Sequence, residues 1–169
     1  RLLENMLVEA KKFCNADAGT LYLVKGKQLD FAVLRNDTLR VAMGGTTNQE
    51  ITFPSLLLYD EAGKPNHNNI AAYAALSGQT VNIEDAYDTK DFDFSGTKAF
   101  DRTNGYQSVS FLTIPLKSNE GNVLGVLQLI NALDSKREII AFDKNLQQLM
   151  ESFSSLACAA LAGYIQEQS

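Results

Sequence analysis

The sequence predicts an α+β domain. It has a central antiparallel sheet of about six strands, N- and C-terminal helices packed on one face, and a ligand pocket of loops and a short helix on the other. Three observations lead there. Apolar residues recur at helical spacing at both ends of the chain. Between them lie short runs rich in β-branched and aromatic residues, separated by turn-forming residues. The order is helix, hairpin, loop, helix, strand, loop, hairpin, helix, without the strict alternation that builds a parallel sheet.

The first helix is LLENMLVEAKKFC, residues 2–14, where Leu2, Leu3, Met6, Leu7, Ala10, Phe13 and Cys14 form one apolar stripe. The run Asn15–Gly19 is expected to break it. TLYLV (20–24) and LDFAVLR (29–35) read as two strands joined by a tight turn at Lys25-Gly26-Lys27. Residues 36–66 carry Gly44-Gly45, Pro54, Gly63 and Pro65 and read as loop, with a short strand at 39–43. A helix follows over NIAAYAALS, started by Asn68 or Asn69 as cap and closed by Gly78. Thr80–Ile83 is a short strand. Residues 84–107 are polar but hold Tyr87, Phe92, Phe94, Phe100 and Tyr106, too aromatic for a linker, and read as a loop folded over something. SVSFLTIPLK (108–117) and VLGVLQLINAL (123–133) are apolar on both faces, so they belong mid-sheet, joined by the loop 118–122. The last helix starts near Phe142 and runs to the end. Its stripe includes Leu146, Leu149, Met150, Phe153, Ala157, Ala160, Leu161 and Tyr164, part of it packing on the first helix and part open to another chain.

Composition narrows the function. The 169 residues are 45% hydrophobic and 21% charged, which fits one folded domain. The net charge of −5, with no basic block, argues against nucleic acid, and no apolar run is long enough to span a membrane. Cys14 and Cys158 sit in apolar helical patterns and read as buried thiols of a reducing, cytoplasmic compartment. His67 is the only histidine and lies in a polar loop with no nucleophile elbow nearby, so a hydrolytic triad or a zinc site has nothing to build on. The acidic run Glu84, Asp85, Asp88, Asp91 and Asp93 lacks the spacing of a calcium loop. The chain opens at Arg1 without a methionine and both ends read as helix, so it is expected to be a piece of a larger protein.

NNIAAYAALSGQTVNIEDAYD, then FDRTNGYQSVSFLTIPLKSNEGNVLGVLQLINAL, then LMESFSSLACAAL together resemble a GAF domain over about residues 3–165. RNDTLRVAMGG, ITFPSLLLYDEAGKPNHNNIAAYAAL and DFDFSGTKAFD narrow the resemblance to GAF domains fused to bacterial HD-GYP phosphohydrolase outputs or set beside adenylate cyclases. The resemblance implies a regulatory domain without catalysis of its own, a small-molecule pocket between sheet and lid, pairing of two copies through the terminal helices, and a fused output domain. Some members bind cyclic AMP or cyclic GMP and carry an Asn, Lys, Phe, Asp, Glu pattern. Here Asn131 and Phe142 match it, while Ala132, Leu146 and Gln147 stand at the other three positions. Asp85 matches the family's pocket-side aspartate, and Asn104-Gly105 stands for the lid's Thr-Gly. No cofactor is implied beyond an unidentified small ligand, a cyclic nucleotide among the possibilities: the pocket cysteines of bilin-binding and methionine sulfoxide-reducing relatives have no counterpart.

The residues themselves point to a pocket. A helix start at Asn69, Ile70 and Ala71 offers free N–H groups to an anion. Phe94 and Tyr106 offer stacking faces, and Arg102 offers charge. Ser108, Ser110 and Gln128 are polar groups on apolar strands. The alternative is a ligand-free dimerisation and relay domain whose pocket is filled by its own side chains.

Overall fold

The structure is a computed structural model and describes residues 1–168. Its elements are α1 (Leu2–Cys14), β1 (Ala16–Lys25), β2 (Gln28–Asn36), β3 (Val41–Gly44), β4 (Leu56–Leu57), α2 (Ile70–Ser77), β5 (Val81–Ile83), α3 (Ser95–Asn104), β6 (Phe111–Lys117), β7 (Val123–Leu133), β8 (Ile139–Ile140) and α4 (Lys144–Gln168). A single 3₁₀ turn, Ala86–Asp88, precedes α3. The sheet path is β3-β2-β1-β7-β6-β5, every pair antiparallel, with β4 added to β2 and β8 to β7. Six strands therefore carry the sheet, and two two-residue strands extend it.

Side-chain alternation divides the sheet into two cores. Leu21, Val33, Leu112, Ile114, Leu127 and Leu129 point to one face and pack with Leu3, Leu7 and Cys14 of α1 and with Met150, Cys158 and Leu161 of α4. Glycine stands where those helices press hardest. A Cβ on Gly19 would lie 2.9 Å from Leu7, and one on Gly125 would lie 2.6 Å from the Tyr22 carbonyl oxygen and 2.9 Å from Leu161. Tyr22, Leu29 and Val126 point the other way, toward Ala71, Ala72 and Ala74 of α2. Phe111 packs there with Ile70, Ile83 and Phe94.

Local sequence explains most boundaries. Asn15 ends α1 in a left-handed conformation with φ 51° and ψ 46°, and β1 starts at the next residue. Ala16–Gly19 is thus strand rather than the expected break, because one left-handed residue suffices to stop the helix. Asn69 caps α2 by accepting the Ala72 N–H, and Gly78 closes it with φ 68°. Asp143 caps α4, its Oδ1 accepting the Asn145 N–H at 2.6 Å. The segment 84–107 departs most from expectation: it contains the ten-residue helix α3. SGTKAFDRTN has no apolar periodicity, and the residue of it that is fully buried is Asp101. Strand β6 begins at Phe111, three residues later than the apolar pattern suggests, because Ser108–Ser110 bond to Asp101 and Asn131 instead of a ladder.

Candidate functional site: a cavity between the sheet and α2–α3

The free face of the sheet does not pack flat against what covers it. A cavity of about 300 Å³ lies between them. Its floor is Thr20 and Tyr22 of β1, Phe31 and Asn36 of β2, and Gln128 and Ile130 of β7. Its roof is the start of α2, with Asn69, Ile70 and Ala71, and the lid residues Phe94, Thr97 and Phe100. Phe53 and Pro54, from the loop between β3 and β4, form a side wall. Asp93, Gly96 and Pro54 border the cavity and are exposed, so it reaches solvent beside them.

Aromatic contacts set its shape. Phe53 lies 5.4 Å from Phe31 and 6.1 Å from Phe100, ring centre to ring centre, and so links floor to lid. Phe31 lies 4.7 Å from Tyr22, and Phe94 lies 5.0 Å from Phe111. The floor also holds buried polar groups. Gln128 donates to Thr113 Oγ1 at 3.1 Å and accepts from the Tyr22 hydroxyl at a long 3.4 Å. Burial pushes the Tyr22 phenol up from its ordinary value.

A hydrogen-bond network fixes the lid at both ends. Asp101 of α3 is 3% exposed and accepts the Tyr87 hydroxyl at 2.6 Å, the Ser108 N–H at 2.8 Å and the Ser108 hydroxyl at 2.8 Å. The bond to Asp101 raises the Tyr87 phenol to about 12. After Gly105, Tyr106 turns back into the cavity wall, donates to Asp17 Oδ2 at 2.6 Å and accepts from Asn131 Nδ2 at 3.0 Å. Burial first, and the Asp17 bond second, raise the Tyr106 phenol. Asn131 is 1% exposed with φ 63°, and its Oδ1 accepts the N–H groups of Val109 and Ser110 while its Nδ2 also donates to the Gln107 carbonyl.

Seven of the residues singled out from the sequence lie in the cavity wall: Asn69, Ile70, Ala71, Phe94, Tyr106, Ser108 and Gln128. Four lie outside it. Asp85 caps the 3₁₀ turn by accepting the Tyr87 N–H. Arg102 and Asn104 are exposed on α3, the latter donating to the Phe100 carbonyl. Ser110 is fully buried, its hydroxyl accepting the Ala132 N–H. Phe92, another aromatic residue of the segment 84–107, lies 5.4 Å from Tyr73 and not in the cavity wall. Lys98 sits 5.4 Å from the Tyr87 ring centre, and Arg35, which borders the cavity, lies 3.7 Å from Glu4 of α1. Thr20, Tyr22, Phe31, Asn36 and Phe53 also line the wall and were not singled out. Thr20 carried a faint signal as a polar residue in an otherwise apolar strand.

His67 packs edge-on against Tyr73 at 5.7 Å. Cys14 and Cys158 are buried free thiols, and burial raises Cys14 to about 11. Among the described residues no three His, Cys, Asp or Glu gather as a metal site, and no helix is long and apolar enough to cross a membrane.

Of the pattern found in nucleotide-binding relatives, Asn131 clamps the lid return and Phe142 is buried in the helix-side core. Gln147 accepts from Asn82 Nδ2 at 2.9 Å, and the same Nδ2 reaches the Phe142 carbonyl at 3.1 Å. Leu146 adds to the core.

Comparison with known proteins agrees with this architecture. The dual 3′,5′-cyclic-AMP and -GMP phosphodiesterase 11A of Takifugu rubripes is 32% identical over 97 residues, which are 57% of this chain and 10% of that protein. The dual 3′,5′-cyclic-AMP and -GMP phosphodiesterase 11 of Drosophila melanogaster is 29% identical over 136 residues, 80% of this chain and 9% of that protein. This chain therefore matches about a tenth of these relatives' length. Among solved structures, the GAF domain of a phosphoenolpyruvate-protein phosphotransferase from Coxiella burnetii superposes with a TM-score of 0.67 at 14% identity, covering 99% of this chain and 86% of that one. The family model of the GAF domain matches residues 1–161, and the chain belongs to the GAF domain family.

Proposed function

We propose that this chain is the sensory domain of a larger signalling protein, and that it takes a small ring-bearing ligand, a cyclic nucleotide foremost, into the cavity beneath the lid. The observation that carries the reading is the cavity itself. Its 300 Å³ suit a small organic molecule, and its walls combine aromatic faces with a few buried polar groups. A self-filled pocket would leave no such space, which favours the receptor over the ligand-free relay. At the roof, the N–H groups of Ile70 and Ala71 have no acceptor among the described residues and lie at the positive end of α2, where a phosphate is stabilised without a cationic side chain. Asn69, Ile70 and Ala71 would hold the anionic group, with Phe94 and Tyr106 against the ring and Ser108 and Gln128 as polar partners. Relatives named for hydrolysis of cyclic nucleotides support that ligand class.

Catalysis belongs to a fused output domain, a phosphohydrolase of the HD-GYP type, another nucleotide phosphodiesterase, or an adenylate cyclase. Two copies pair through the terminal helices, and ligand binding shifts the balance between two arrangements of those helices. A thermal-shift titration with cyclic GMP and cyclic AMP tests the reading. At a hundredfold excess over Kd, a ligand specific to the folded state raises the melting temperature by about 5–10 °C. A flat titration up to millimolar concentrations with both nucleotides overturns the nucleotide reading.

A further inference from the structure

Glu4 sits in the first turn of α1, yet it is 7% exposed. Its carboxylate accepts the Thr46 N–H at 2.7 Å and the Thr46 hydroxyl at 2.9 Å, and lies 3.7 Å from the Arg35 guanidinium. It lies against the backbone of Gly45 so closely that a Cβ there would fall 2.3 Å from Oε1. Among the described residues, every hydrogen bond between α1 and the loop joining β3 to β4 ends on this one carboxylate. The same loop places Phe53 between Phe31 on the cavity floor and Phe100 on the lid. Between those two anchors, residues 47–50 are largely exposed. Two turns further along α1, the buried Lys11 ammonium bonds Asp37 at 2.7 Å and holds the turn that leads into β3.

We propose that Glu4 is the joint through which the cavity wall and the N-terminal helix move together. A shift of Phe53 pulls on a short loop whose other end is fastened to α1 by a buried carboxylate. Breaking that fastening costs a largely buried carboxylate its bonds to Thr46, so displacement of the first turn of α1 is the easier response. The significance for signalling rests on the cavity being the ligand site, whereas the coupling itself exists without ligand.

The test uses the ligand-free 169-residue chain, which contains no tryptophan, so that Phe53→Trp supplies a single indole, excited apart from the tyrosines, in the cavity wall. Adding Glu4→Gln to that background is expected to raise acrylamide quenching of the indole about twofold or more. Glu9→Gln, at an exposed position on the same helix, is expected to leave it unchanged. A double-mutant cycle of Glu4→Gln with Phe53→Ala, read by melting temperature, serves if the indole disturbs folding, and the two losses are expected not to add. Unchanged quenching, or strictly additive losses, overturns the proposal. Failure of cyclic nucleotides to bind overturns the nucleotide reading alone, because neither measurement contains a ligand.

Discussion

Asn131 illustrates how much one side chain holds. It occupies a left-handed conformation inside β7, and its amide satisfies two N–H groups, a carbonyl and a phenol on the returning lid strand. Removing that amide leaves buried polar groups without partners. Asn131→Ala is expected to cost about 3 kcal/mol or more and lower the melting temperature by about 6–12 °C. Asn131→Gly tolerates the positive φ but lacks the amide, and is expected to recover only about 1–2 kcal/mol of that loss. Calorimetry of both variants checks the split. The family resemblance marked Asn131 in the sequence. Its partners were invisible there, because they lie 21–25 residues upstream and meet it only after the lid has folded back.

At the scale of elements, α3 shows where sequence periodicity goes silent. The helix is anchored chiefly by a carboxylate: Asp101 gathers Tyr87 and Ser108, binding the lid to the start of the central hairpin. Apolar spacing predicts helices through the faces they bury, and a helix held by hydrogen bonds gives no such pattern. Asp101→Ala is expected to destabilise the chain by about 2–4 kcal/mol and to speed amide exchange across residues 95–107 more than elsewhere. Asp101→Asn is expected to be much milder. Its amide oxygen can still accept from Tyr87 and the Ser108 N–H, and its NH₂ can donate to the Ser108 hydroxyl. Hydrogen-exchange mass spectrometry of the two variants distinguishes a polar anchor from a merely space-filling one. By contrast α2 was legible but for the choice between Asn68 and Asn69 as its cap, because Asn69 and Gly78 are local signals that act within one turn of themselves.

For the whole molecule, the notable surface is α4. One face is buried on the sheet through Met150, Cys158 and Leu161. A second runs through Leu149, Phe153 and Leu156, exposed by 49%, 51% and 70%, and Phe13 of α1 extends it by meeting Phe153 at 6.3 Å. Their spacing of four and three continues through Ala160 and Gly163, the repeat that lets helices of two chains interlock. Sedimentation velocity at micromolar concentration is expected to show a dimer, and Leu156→Asp is expected to weaken association at least tenfold while leaving the melting temperature of dilute protein within about 2 °C. A monomer at all concentrations would refute pairing through this face. Ala157 is a poorer site for the test, because it packs into the chain's own core.

The sequence by itself determined the α+β class, the two terminal helices, the central hairpin and the capped α2, since periodicity and capping act over a few residues. It also singled out the two thiols as buried and seven positions that meet in one cavity. Only the tertiary structure decided that Phe53 closes the cavity, that Arg35 at its border meets Glu4, and that Asp85, Arg102, Asn104 and Ser110 stand outside its wall. The physical reason is distance along the chain. A residue's own strand fixes which face it shows, but what waits there is set by loops folding back from tens of residues away, and a polar side chain satisfied by such a partner looks, in sequence, like one kept free for a ligand.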